Sequence, residues 1–120
     1  MNLRAIRGAI LCKENSKEAI NAKTSLLLDE MIRRNDIKPE DIVDIIFTAT
    51  EDLTAEFPAA AARHIGLTHV PLLCARELSI EDSTPMCLRV LMHFYTRKHP
   101  HELRHPYLEG ARQLRTDLPE

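Results

Sequence analysis

Apolar positions along the chain follow two rhythms, and the switches between them mark the elements. Residues 3–12 alternate, with Leu3, Ala5, Arg7, Ala9 and Leu11 on one face and Ile6, Gly8 and Ile10 on the other. Both faces are largely apolar, which predicts a strand buried on both sides with Arg7 in its middle. A helical rhythm follows, in which Ile20, Thr24, Leu27 and Met31 recur beside Leu28 and Ile32. Asn15 or Ser16 is placed to cap this helix, Glu18 suits its first turn, and it should end near Arg34–Asn35. Pro39 begins a short turn. The compact β-branched run over 42–50 reads as the central strand. Residues 58–65 predict a short helix, with Pro58 in its first turn and Gly66 at its end. A third strand is expected over about 68–74. A fourth is expected over 86–95, with Met86, Leu88, Val90, Met92 and Phe94 on one face and Cys87, Arg89, Leu91 and His93 on the other. Arg104–Leu108 reads as a last short strand. Pro106 confines it to an edge or a bulge, because proline has no N–H for a ladder. The order β-α-β-α-β-β-β predicts an α/β or α+β fold, a sheet packed on one long helix. No repeat, low-complexity run or linker interrupts the pattern, so residues 1–120 are read as one domain.

Composition narrows the function. The chain is 44% hydrophobic and 28% charged, ordinary for a soluble domain. Its formal charge of −2 offers no electrostatic reason to expect nucleic acid or an anionic membrane. Cys12, Cys74 and Cys87 are odd in number and lack CxxC spacing, so they are not a disulfide framework. The first residues lack the continuous apolar core of a signal peptide, and no run approaches the ~18 apolar residues of a membrane span. A cytoplasmic location is the expectation. Of the 16 basic residues, 11 are arginine. Guanidinium is a planar fork that grips carboxylates two-pronged and tolerates burial better than ammonium. A codon or thermal preference would leave the same bias.

Arg7 and Arg89 stand out because each sits inside an apolar strand, where an unpaired cation is costly and needs an anion. Glu77, Glu51 or Asp52 can supply it as a structural ion pair, or a ligand can. Arg63 and Arg115, also in apolar contexts, add weight to the ligand. The pentapeptide His101–His105, H-E-L-R-H, matches a zinc-protease pattern that needs a helix. Pro100 and Pro106 flank it and break any helix through it, so no metal site is expected there. Cys74 follows an apolar run and reads either as a nucleophile or as a small core thiol. With only Gly8, Gly66 and Gly110 there is no Gly-rich phosphate loop. Tyr107 is placed to donate to a carboxylate or to pack. These residues alone imply a small α/β domain with an arginine-rich anion site.

Six segments, in order along the whole chain, resemble the AroH-type chorismate mutases. They are R-A-I-R-G-A at 4–9, T-E-D-L-T-A-E-F-P-A at 50–59 with Arg63 after it, V-P-L-L-C-A-R-E at 70–77, C-L-R-V at 87–90, R-H-P-Y-L at 104–108 and L-R-T-D-L at 114–118. The resemblance implies a homotrimer whose three mixed sheets form a pseudo-α/β barrel, with active sites in the clefts between subunits. It implies the Claisen rearrangement of chorismate to prephenate, on the route to phenylalanine and tyrosine, without a cofactor or metal. It also implies roles. Arg89 faces the ether oxygen, Arg7 holds a carboxylate with help from Tyr107, and Glu77 meets the ring hydroxyl. Cys74 offers backbone contacts and packing. Phe57 and Arg63 come from a neighbouring subunit, and Leu114 and Arg115 belong to a closing tail. Two positions depart from the pattern. Ala60 stands where many relatives carry lysine, which removes a cation near the mouth of the site, and Pro106 fills the variable position of R-H-x-Y-L. The same arginines would also suit a non-catalytic trimer that binds a carboxylate metabolite, or an imine or enamine hydrolase on a similar sheet. Glu77 discriminates, since a plain anion receptor gains nothing from a carboxylate beside its ligand.

Overall fold

The computed structural model describes residues 1–114 and 119. Four strands form one mixed sheet: β1 (Asn2–Leu11), β2 (Ile42–Ala49), β3 (Leu72–Arg76) and β4 (Cys87–Thr96). Their spatial order is β1-β4-β2-β3, with β4 antiparallel to both neighbours and β2 parallel to β3. Two helices, α1 (Lys17–Arg34) and α2 (Ala59–His64), pack against each other, α1 also on β1 and α2 on β3.

Helix α1 begins where expected. Ser16 is its cap, and its Oγ accepts the Ala19 N–H at 3.1 Å. Asn15 is not the cap; its amide oxygen instead accepts the N–H groups of Thr54 and Ala55, each at 3.0 Å, which ties down the loop after β2. Ile20, Leu27, Leu28 and Met31 of α1 meet Ile6, Ile10, Ile45, Phe47, Leu88, Met92 and Phe94 of the sheet in one core. Each such side chain stabilises the fold by about 1.5–3 kcal/mol once fully buried. Gly8 lets helix and strand approach: a Cβ there would lie 2.8 Å from Met31 Sδ and 2.9 Å from Leu27 Cδ1.

The helices cover only one face of the sheet. Ile6, Gly8 and Ile10 face α1 and are buried, whereas on the opposite face Leu3 is exposed, Ala5, Arg7 and Leu11 are half-buried, and Ala9 is buried in a small cluster with Tyr107 and Ala111. The expectation of two buried faces therefore does not hold for the single chain. The uncovered face carries Leu3, Ile46, Leu73, Leu91 and Tyr95, of which Leu3 is 50%, Leu73 61% and Tyr95 46% exposed.

Two other expectations need correction. The third strand starts at Leu72, not near residue 68, because α2 ends through Gly66 at φ 93° and Pro71 has no N–H to give the ladder. Residues 104–108 do not form a strand. They touch the sheet edge through one parallel bridge, Ala9 with Tyr107, in which Ala9 N–H donates to the Pro106 carbonyl and Leu108 N–H to the Ala9 carbonyl. Pro106 uses only its carbonyl here, so its missing N–H costs nothing. No helix in the described residues is long and apolar enough to cross a membrane.

Candidate active site

The uncovered face places the sequence-predicted charges together. In the antiparallel register Arg7 lies opposite Leu91, Ala9 opposite Arg89, and Arg89 opposite Thr48. All of these side chains share one face, because directly paired residues point the same way. Glu77 follows β3 directly, and its N–H continues the parallel ladder to the Ala49 carbonyl at 2.9 Å. The result is a cleft of about 390 Å³ lined by Arg7, Ile46, Thr48, Glu77, Arg89, Val90 and Leu91. Two guanidinium groups and one carboxylate meet on an otherwise mostly apolar floor.

The charges are not fully matched. Arg89 Nε sits 3.2 Å from Glu77 Oε2, with the two side chains 28% and 23% exposed. That N–H is buried yet aims at no acceptor, so the contact is coulombic and not a hydrogen bond. Glu77 Oε2 instead accepts the Thr48 hydroxyl at 2.7 Å, and Oε1 accepts the Leu78 N–H at 3.3 Å. Among the described residues Arg7 has no carboxylate partner. One anion for two cations leaves the cleft net positive. The other candidate partners are engaged elsewhere. Glu51 Oε1 accepts from Ser79, and both oxygens of Asp52 accept the Met86 N–H, at 3.0 and 3.2 Å.

Asp52 and Thr50 brace the start of β4. Met86 holds a φ of 53°, unfavourable for a residue with a Cβ, and the Asp52 carboxylate anchors its amide. Thr50 Oγ1 accepts the Cys87 N–H at 3.0 Å, two residues before Arg89. A second brace reaches Arg7, whose backbone N–H donates to His105 Nδ1 at 3.1 Å. Asn35, 1% exposed, grips the Arg104 N–H and carbonyl at 2.7 and 2.9 Å and so fixes that segment. Reading H-E-L-R-H only as a metal motif or loop missed this use of His105. The pentapeptide runs as part of a 3₁₀ turn, Pro100–Glu102, followed by extended chain, so its two histidines do not share a helix face.

The remaining predicted residues lie around this cleft, not in it. Phe57, 68% exposed, and Cys74 line a neighbouring cleft of about 450 Å³ with Lys17, Thr50, Pro58 and Arg76. Arg63 is exposed on α2, and Ala60 on the same helix is buried. Tyr107 is 1% exposed and packs with Ala9, Ala111, Leu11 and Leu114; its buried hydroxyl has no hydrogen-bond partner among the described residues. Arg115 lies outside the described residues. Desolvation by burial pushes the Cys87 thiol up, against the pull of the Arg89 charge, and pushes the Cys12 thiol up to about 11.

Known proteins share this architecture. The family model for chorismate mutase type I matches residues 3–118. The chorismate mutase AroH of Thermus thermophilus is 47% identical over 117 residues, which is 97% of this chain and 96% of that protein. The chorismate mutase AroH of Bacillus subtilis (strain 168) is 40% identical over 119 residues, covering 98% and 94%. A solved chorismate mutase from Clostridium thermocellum superposes with a TM-score of 0.90 at 44% identity, covering 92% of this chain and 98% of its own. The match runs from the strand that carries Arg7 through the bridge at Tyr107, and on that ground the chain belongs to the chorismate mutase type I family.

Proposed function

We propose that this protein rearranges chorismate to prephenate, in aromatic amino acid biosynthesis, by electrostatic stabilisation of the transition state. The observation that carries this is the convergence of Arg7 and Arg89 on one cleft that holds a single carboxylate, Glu77, for two cations. Chorismate is a dianion, and its rearrangement is unimolecular: a C–O bond breaks as a C–C bond forms. No nucleophile, metal or proton transfer is needed. Negative charge grows on the ether oxygen and positive charge spreads over the ring. A catalyst must hold the folded conformer and set a cation beside that oxygen.

The cleft meets each demand. Arg89 stabilises the ether oxygen with its guanidinium, which is partly exposed to the cleft and partly desolvated. Arg7, which lacks a carboxylate partner among the described residues, takes a substrate carboxylate. Glu77 accepts from the ring hydroxyl and balances the spreading positive charge. The orphan hydroxyl of Tyr107 assists Arg7, and Cys74 contributes backbone contacts and packing, not a nucleophile. A rate gain near 10⁶ needs about 8 kcal/mol, within reach of two or three preorganised contacts plus conformer selection.

The working unit is a homotrimer. The uncovered sheet face, with exposed Leu3, Leu73 and Tyr95 around the arginines, leaves the cleft open on one side in the single chain. A second copy on this face supplies the missing wall, and Phe57 and Arg63 reach the site from it. Leu114, which packs against Tyr107 and Ala111, borders the ligand. We place the enzyme in the cytoplasm, without a cofactor. The test is to incubate the purified protein with chorismate and follow the loss of its ultraviolet absorbance, with and without EDTA. Steady loss in both samples is expected. A folded protein that leaves chorismate untouched rejects the assignment, and loss of turnover in EDTA restored by zinc rejects metal-independent chemistry.

A further inference from the structure

We infer that Thr48 is a positioning residue of this site: its hydroxyl holds Glu77 in a half-closed ion pair and so keeps Arg89 available to an anionic substrate. This deepens the reading above and rests on its placement of Arg89 and Glu77 at the substrate. Thr48 lies opposite Arg89 in the β2–β4 register, and Glu77 stands one position beyond β3, on the other side of β2. Thr48 therefore sits between the two charges. Its Oγ1 donates to Glu77 Oε2 at 2.7 Å, and the same oxygen is 3.2 Å from Arg89 Nε, whose buried N–H makes no hydrogen bond.

A guanidinium and a carboxylate left to themselves close into directed, often two-pronged hydrogen bonds. Here the threonine hydroxyl has claimed the near oxygen and turned it, and the arginine donor stays without an acceptor. Leaving a buried donor unmet is costly, so the pair is held short of closure and the exposed part of the guanidinium is left for substrate. Without the hydroxyl, Glu77 would swing onto the Arg89 Nε–H. Substrate would then have to break a complete ion pair before it could bind.

Thr48→Val keeps the shape and removes the donor. In steady-state assays with chorismate its KM rises about tenfold, while kcat changes less than about threefold, because the closed pair opposes ground state and transition state alike. Thr48→Ala, a second hydroxyl deletion, tests the same point if valine fails to fold. Thr48→Ser, which restores the hydroxyl, brings KM back to within about threefold of the parent. In a Glu77→Gln background, Thr48→Val moves KM by less than about twofold, since no carboxylate remains to close. A folded Thr48→Val or Thr48→Ala protein with parental KM overturns the inference, as does an equal KM rise in the Glu77→Gln background. If the unmodified protein is inert toward chorismate, the activity itself is wrong; if it turns over and Thr48 proves silent, only the positioning role falls.

Discussion

Arg89 shows how much one residue's setting changes its meaning. On a wet surface its guanidinium would contribute little; on β4 it is partly desolvated and faces a carboxylate that does not hydrogen-bond to its Nε. The thiols follow the same logic in reverse. Burial raises the Cys12 thiol to about 11, so the folded state keeps a proton that the unfolded chain, at its ordinary 9.0, releases. The unfolded state binds fewer protons between those values, so this contribution to stability is intact below pH 9 and is lost as pH rises toward 11. Chemical denaturation at stepped alkaline pH should show the midpoint falling across that window, and Cys12→Ala should flatten the fall. At this scale the sequence showed Arg7 and Arg89 plainly, because a charge inside an apolar strand is conspicuous, whereas Glu77, just beyond β3, stood only as one of three candidate partners beside Glu51 and Asp52. It hid the contacts of Thr48, Asp52 and His105, whose partners lie 29, 34 and 98 positions away in the chain; Asp52 was in view only as a partner for an arginine. Thr48 left one trace, a hydroxyl that alternation puts on the same face as Ile46 in the best strand of the chain.

The elements were legible where one rhythm ran long. Helix α1 and strands β1, β2 and β4 appear close to their expected limits because each buries a continuous apolar face. Arg104–Leu108 was misread because its alternation is real but too short to pair: Pro106 lacks an N–H, and only Ala9 of the edge strand meets it. The junction of α1 and β1 gives a direct test. Gly8→Ala puts a methyl group 2.8 Å from Met31 Sδ and 2.9 Å from Leu27 Cδ1, which overpacks the core. Thermal denaturation should show a loss of about 1–3 kcal/mol with the fold retained. An unchanged melting temperature would mean that helix and strand are not so close. Asp52→Asn weakens the brace on the strained Met86 amide, and substituting glycine at Met86 in that background should recover part of the lost stability, because glycine adopts the φ of 53° without strain.

The molecule as a whole is half of an argument about assembly. One face of its sheet is sealed by helices, and the other displays Leu3, Leu73 and Tyr95 around a net-positive cleft. Nothing in the hydrophobic pattern distinguishes a strand buried by its own chain from one left for a second copy, so alternation alone predicted two buried faces where the chain covers one. Sedimentation equilibrium should give a mass about three times 13.7 kDa. Leu73→Glu, which sets a charge on the uncovered face, should dissociate that species and abolish turnover together; a fully active monomer would contradict sites shared between subunits. The central claim is that Arg89 meets charge that exists only midway through the rearrangement. Its most direct test is kcat for chorismate in Arg89→Ala and Arg89→Lys, with folding checked by circular dichroism. The account predicts a fall of about a hundredfold or more in both, with little recovery by lysine because a point charge does not reproduce the fork; near-normal kcat in either folded variant would contradict it.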